Sequence, residues 1–115
     1  MADDGTNRWI TISDGTFDNF ISIYFDATSN NVSVRIFGSS TNIELSHVLT
    51  DETAYNKIAV RWNGSSFGLW VNGVEEATSS SAGVISGLNE ILFGNATGGS
   101  PFYGNTRQVA VYNYL

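Results

Sequence analysis

Short segments in which apolar and polar residues alternate make up most of this chain. The alternation has the period of two that is typical of a β-strand in residues 19–26 (NFISIYFD), 32–37 (VSVRIF) and 57–62 (KIAVRW). Clusters of Gly, Asn, Asp and Ser separate these segments at intervals of about 8–12 residues, and no longer segment has a helical period. Because such strands present one face to a core and the other to solvent, the pattern predicts an all-β fold, an antiparallel β-sandwich.

The alternation predicts nine strands and the side of each strand that faces the core. The predicted strands are residues 9–13, 19–26, 32–37, 43–49, 57–62, 67–71, 74–78, 91–94 and 106–113. We expect the following residues to be buried: Ile21, Ile23, Val34, Ile36, Ile58, Val60, Leu69, Val71 and Val109. Asn72-Gly73 predicts a type I′ hairpin turn, because both central residues of that turn need a positive φ.

The length and charge of the chain limit its organisation and its partners. With 115 residues, residues 9–115 suit a single β-sandwich domain, preceded by a flexible segment at residues 1–8. The net charge of −6, with one Lys and four Arg, argues against nucleic acid, which needs clustered basic residues. No apolar run approaches the length of a membrane span, so we expect no membrane insertion.

Catalytic groups are scarce in the sequence. There is no Cys, and His47 is the only His, which excludes a thiolate nucleophile and a His-based metal cluster. The acidic pairs Asp51-Glu52 and Glu75-Glu76 are adjacent in sequence, so their side chains point to opposite sides of a strand and are expected to be solvated. We therefore expect a protein that is not an enzyme.

Calcium is the one cofactor that the sequence leaves open. Carboxylate and amide oxygens are available at Asp14, Asp18, Asp26 and Asn95. No loop of spaced Asp and Asn residues with a closing Glu appears, so the prediction is no cofactor, with calcium as the alternative.

The strand phase also predicts which side chains face away from the core. Six candidate ligand-binding residues lie on outward sheet faces or in the Gly-rich loop of residues 94–103: Tyr24, Arg35, Arg61, Trp70, Asn95 and Tyr103. Aromatic and Arg side chains stack on sugar rings and dominate protein interfaces. Contact with a sugar, contact with a protein and an ordinary wet surface, with Arg35 or Arg61 paired to Glu44 or another neighbour, all remain open.

The order of several segments resembles a known family. YNKIAVRWNGSSFGLWVNGVEEA, then ILFGN, then SPFYGNTRQVAVYNYL is similar to the laminin-G-like, or concanavalin A-like lectin/glucanase, domains. The opening RWITISDG, followed by NFISIYF, is most similar to the versions in bacteriophage tail and virion proteins. The resemblance implies a jelly-roll sandwich that binds glycans or surfaces.

The resemblance also implies a function and its alternatives. It indicates a non-catalytic binding module of a phage or prophage virion protein, in a tail or fibre, that attaches to a host-surface glycan or protein. The location implied is the virion, or otherwise an extracellular one. A purely structural virion subunit is the alternative. A glycoside hydrolase fragment is disfavoured, because the Glu-x-Asp-x-Glu strand of related glucanases is missing.

The two ends of the sequence depart from the family pattern. A strand usually precedes the segment at Trp9, and a short acidic helix usually follows the final Leu. Whether the sandwich closes within one chain or lacks a terminal strand is therefore open. Because an open sheet edge recruits strands, we expect self-association or completion by a strand of a neighbouring protein.

Overall fold

The computed structural model describes residues 5–38, 41–63, 66–80, 85–102 and 104–111. Within them the chain forms eight strands: β1 (Arg8–Ser13), β2 (Phe20–Phe25), β3 (Asn31–Gly38), β4 (Thr41–Val48), β5 (Ile58–Asn63), β6 (Ser66–Val71), β7 (Val74–Ser79) and β8 (Glu90–Leu92). These described residues contain no helix long and apolar enough to cross a membrane.

The strands form two antiparallel sheets. The larger sheet has the order β4-β3-β2-β1-β8, and the smaller one has the order β5-β6-β7. Hairpins join β1 through β4 in order, and likewise β5 through β7. Residues 49–57 connect β4 of the larger sheet to β5 of the smaller one, and β8 pairs with β1 over Thr11–Ser13. The predicted all-β, two-sheet architecture is confirmed.

The core lies between the inner faces of the two sheets. Its buried apolar side chains are Ile21, Val32, Val34, Ile36, Ile43, Leu45, Leu49, Phe67, Leu69 and Val71. β3 and β6 each contribute three alternating residues to this set, as the alternation predicts, whereas β2 contributes only Ile21. Among the residues predicted to be buried, Ile23, Ile58 and Val60 are only partly buried, and they pack against the rim of the cluster.

The predicted last strand, residues 106–113, is wrong for the part that the structure describes. Residues 106–111 form no strand, and the side chain of Val109, which was expected in the core, is 44% exposed. Alternation determines which side chains share a face, but a strand also needs a free sheet edge that accepts its backbone. Residues 112 and 113 lie outside the described residues.

The Asn72-Gly73 turn joins β6 to β7 as predicted. Asn72 has a φ of 51° and Gly73 a φ of 86°, the positive values that a type I′ turn requires. The turn is also tied to the start of β5, because the Lys57 amide donates to Asn72 Oδ1 at 2.9 Å and the Asn72 amide donates to the Lys57 carbonyl at 2.8 Å. The hairpin and the adjacent strand are therefore held in one register.

Candidate functional site

The outer face of the smaller sheet carries an exposed tryptophan in a ring of small and charged residues. In the register, Trp70 on β6 lies between Ala59 on β5 and Glu75 on β7, while Arg61 lies opposite Gly68. We call these five residues the Trp70 platform. Since Leu69 and Val71 enter the core, the alternation of β6 directs Trp70 outward, and its side chain is 36% exposed.

An ion pair crosses the Trp70 platform. Arg61 Nη1 lies 3.3 Å from Glu75 Oε2, and both side chains are about one-third exposed or less. The pair can span the middle strand because Gly68 has no side chain there. A Cβ at position 68 would lie 3.2 Å from Glu75 Oε2 and 3.3 Å from Arg61 Nη2.

The chemistry of the Trp70 platform is that of shallow binding. An indole face offers a stacking surface for an apolar ring, and the adjacent guanidinium and carboxylate offer hydrogen-bond donors and acceptors to hydroxyl groups. Ala59, directly opposite Trp70 on β5, adds only a methyl group beside the indole, while the Arg61–Glu75 ion pair fills the space above Gly68.

The outer face of the larger sheet has a different organisation. The Trp9 and Tyr24 rings are stacked with centroids 4.4 Å apart, and the Tyr24 hydroxyl donates a hydrogen bond to Glu44 Oε1. Burial, the hydrogen bond to Glu44 and the charge of that carboxylate raise the pKa of Tyr24 to about 12. The Tyr24 side chain is thus engaged on its ring face and at its hydroxyl.

Further along the same face, aromatic rings support Arg35. Phe20 stacks on Phe37 at 5.5 Å, and Phe17 meets Phe20 edge-on at 6.0 Å. The Arg35 guanidinium lies over the Phe37 ring, 5.4 Å from its centroid, and Arg35 Nε donates to Asn42 Oδ1 at 3.3 Å.

The structure divides the predicted binding residues into two groups. Tyr24 and Arg35 lie on the outer face of the larger sheet, and Arg61 and Trp70 lie on the outer face of the smaller one. Because the two inner faces pack against each other, these groups are on opposite sides of the sandwich. One ligand of ordinary size cannot contact both groups.

Asn95 organises the loop between β8 and the C-terminal segment. Its Oδ1 accepts hydrogen bonds from the amides of Thr97 and Gly99 and from the Thr97 hydroxyl. The loop is held on β1 by the Thr11 hydroxyl, which donates to the Gly94 carbonyl, and by the Ser13 hydroxyl, which donates to the Ala96 carbonyl. Tyr103, the other candidate predicted in this loop, lies outside the described residues.

The acidic pairs and the histidine have structural contacts. Glu75 pairs with Arg61, while Glu76 lies 3.6 Å from His47 Nδ1, so adjacent side chains do point to opposite sides of β7. The expectation that Glu52 is solvated is wrong, because Glu52 is only 5% exposed. Its amide donates to the Asn30 side chain at 2.8 Å, which holds this connection against the β2–β3 hairpin.

Two of the three carboxylates considered for calcium, those of Asp14 and Asp26, accept hydrogen bonds within their own loops. Asp14 Oδ1 accepts from the amide and hydroxyl of Thr16, and Oδ2 accepts from Asn19. These bonds, with that from Thr16 the strongest, hold the pKa of Asp14 below its ordinary value. Asp26 accepts from the Thr28 amide. The described residues contain no group of three His, Cys, Asp or Glu side chains placed to share a metal ion.

Sequence reasoning named two carboxylates of the outer faces but did not predict their contacts: it offered Glu44 as a partner of Arg35 or Arg61, and it expected Glu75 to be solvated. Glu44 receives the Tyr24 hydroxyl, and Glu75 completes the Trp70 platform. The hairpin registers could have indicated Glu44, since it lies directly opposite Arg35. Glu75 could not be placed in this way, because an irregularity between Leu69 and Trp70 shifts the register of β7.

These features define a two-sheet β-sandwich with shallow polar and aromatic outer faces, the architecture of a general binding module. The Laminin_G_3 family model, described as the concanavalin A-like lectin/glucanases superfamily, matches residues 1–115. The chain belongs to this family. Searches of curated proteins and of solved structures each found no match.

Proposed function

We propose that this chain is a non-catalytic attachment module that binds a glycan or a protein of a host surface through the Trp70 platform. The observation that carries the proposal is an exposed indole beside the Arg61–Glu75 ion pair, which crosses the sheet above Gly68. This arrangement combines stacking with hydrogen bonding and needs no cofactor or bound calcium.

The proposed setting is the tail or fibre of a phage or prophage virion. Support for it comes from the likeness of the opening segments RWITISDG and NFISIYF to versions of the family in such particles. On a virion many copies act together, so weak binding at each shallow site can give firm attachment through avidity.

Binding to arrayed glycans and to host-surface proteins tests the proposal. We expect Trp70→Ala to weaken binding by at least about tenfold, as removal of a central aromatic contact does. Tyr55→Ala is the matched control, because Tyr55 is an exposed aromatic residue, 56% accessible, outside the platform. Binding that survives Trp70→Ala would place the site elsewhere, and release of sugar from a polysaccharide would contradict a non-catalytic role.

A structural subunit of the virion is the second candidate. It is favoured by large apolar side chains that are about half exposed near the end of the described chain: Ile91, Phe93, Val109 and Val111. A neighbouring subunit that covered them would remove this apolar surface from water. Failure of every glycan and host protein to bind, together with assembly of the chain, would favour this candidate over attachment.

A further inference from the structure

Arg35 is a charged side chain that forms no ion pair with Glu44, the carboxylate opposite it, because Glu44 is hydrogen-bonded to Tyr24. In the β3–β4 register Arg35 lies directly opposite Glu44, the arrangement that normally gives a cross-strand ion pair. Glu44 instead accepts the hydroxyl of Tyr24. In the described part of the chain, Arg61 forms an ion pair with Glu75 and His47 Nδ1 lies 3.6 Å from Glu76 Oε2, whereas Arg35 forms no ion pair.

Two contacts hold the Arg35 guanidinium in place without using its terminal nitrogens. The Phe37 ring lies beneath Arg35 Cζ, which is 5.4 Å from the ring centroid, and Asn42 Oδ1 accepts from Nε. A guanidinium has five N–H donors, so four remain on Nη1 and Nη2. Among the described residues no acceptor is recorded for these four N–H groups. The contact with the Phe37 ring and the hydrogen bond to Asn42 restrict the side chain, which lowers the entropy that a further contact would cost.

We propose that Arg35 is the anchor of a carboxylate-binding site, and that its ligand is a carbohydrate carrying an isolated carboxylate, such as a uronic acid residue. The two terminal nitrogens of a guanidinium match the two oxygens of a carboxylate in a bidentate pair. The site goes beyond the proposed function, because Arg35 and Trp70 lie on opposite outer faces.

The surroundings of Arg35 favour a carbohydrate over a protein. Asn42, Glu44 and Ser46 form an exposed polar row on the outer side of β4, next to Arg35. These side chains can exchange hydrogen bonds with sugar hydroxyls. The nearby exposed aromatic ring is Phe17, 48% accessible, whereas protein interfaces centre on larger apolar clusters.

Charge limits the ligand to one carboxylate at a time. The chain carries a net charge of −6, and Glu44 lies beside Arg35. A densely charged polyanion would meet repulsion from the rest of the surface, while a single carboxylate can be held by the one guanidinium. A mostly neutral glycan with occasional uronic acids fits this balance.

Titration of the protein with a glucuronic acid-containing oligosaccharide, followed by NMR, tests the proposal. The comparison ligand is the same oligosaccharide with its carboxyl group reduced to an alcohol, which we expect to bind at least about tenfold more weakly. Arg35→Gln should produce a similar loss for the acidic ligand. Arg107→Gln is the matched control, since it removes the same charge from an arginine that lies over the Tyr55 ring.

A second variant changes binding in the opposite direction. Glu44→Gln keeps an oxygen that accepts the Tyr24 hydroxyl but removes the negative charge beside Arg35. We expect it to tighten binding of the acidic oligosaccharide by about two- to fivefold, an effect that general loss of structure would not produce.

Three outcomes would overturn the proposal. One is equal affinity for the acidic and the reduced oligosaccharide, and another is equal loss of binding in the Arg35→Gln and Arg107→Gln variants. The third is Arg35-dependent binding of an aspartate-containing peptide without binding of the uronic acid ligand. That result would assign the face to a protein partner.

Discussion

Arg61 and Arg35 differ in whether the carboxylate beside them forms an ion pair with the guanidinium. Arg61 is paired with Glu75, so its charge is compensated within the smaller sheet. Arg35 lies opposite Glu44, but the Glu44 carboxylate accepts a hydrogen bond from the Tyr24 hydroxyl instead. A sequence with the same residue types at the same spacings could form either arrangement, because the choice depends on a tyrosine from a third strand. Side-chain competition of this kind decides which polar residues can bind a ligand.

Leu69 tests the packing at the centre of the core. Its side chain is fully buried between the sheets. We expect Leu69→Ala to lower the free energy of unfolding by about 2–5 kcal/mol, because it loses transfer free energy and leaves a cavity. Val74→Ala is the control: Val74 is 57% exposed, and its truncation should change stability little. Urea denaturation measures both, and equal effects would mean that β6 has the wrong face inward.

Tyr24 gives a prediction about alkaline pH. Its folded-state pKa of about 12 lies above the ordinary value of 10.0, because burial and Glu44 disfavour the phenolate. The folded state therefore keeps this proton when the unfolded state loses it, and stability should fall as the pH rises from about 10 to about 12.

Comparison of the wild type with Tyr24→Phe isolates this effect. The variant cannot ionise at position 24, so its unfolding free energy should decline less over that pH range. Ultraviolet titration of the phenols in wild type and variant gives the Tyr24 pKa directly. A Tyr24 pKa near 10 would contradict the contact with Glu44.

At the level of strands, the sequence allowed good prediction wherever side chains alternate between core and solvent. The inward faces of β2, β3, β5 and β6 follow from residues such as Val34 and Leu69, whose neighbours are small, polar or aromatic. Alternation could not predict the fate of residues 106–111, since it says nothing about hydrogen-bond partners. Nor could alternation predict that Trp70 and Tyr24 lie on opposite sides of the sandwich, because that depends on how the two sheets pack against each other.

The β6–β7 hairpin depends on the backbone of Gly73. A Cβ at this position would meet no atom within 4 Å, so any cost of substitution comes from the positive φ and not from a clash. We expect Gly73→Val to destabilise the domain by at least about 1–2 kcal/mol. Gly73→Asn should cost less, since Asn adopts positive φ more readily. Thermal unfolding of the two variants provides the measurement, and identical losses would indicate a steric cause.

At the scale of the whole molecule, the sheets differ in width. The three-stranded sheet covers only part of the inner face of the five-stranded sheet. The part that it does not cover belongs to β1 and β8. By register Ile12 and Ile91 share the inner face with Ile21, yet neither belongs to the core cluster, and Ile91 is 50% exposed. An apolar inner face that the described residues cover only in part is a surface that a second copy can cover.

We therefore predict that the isolated chain self-associates at micromolar concentration. Val109 and Val111, 44% and 49% exposed, add to the apolar surface that association would bury. Val109→Asp should shift the chain toward the monomer, because a charge would be desolvated in the interface. Ala110→Asp adds the same charge one residue later. It should shift the chain toward the monomer less than Val109→Asp does, if Val109 and Val111 are buried in the interface and Ala110 is not. Sedimentation velocity over a concentration series measures both. A wild-type monomer at every concentration, or equal shifts in the two variants, would show that these apolar side chains do not mediate assembly.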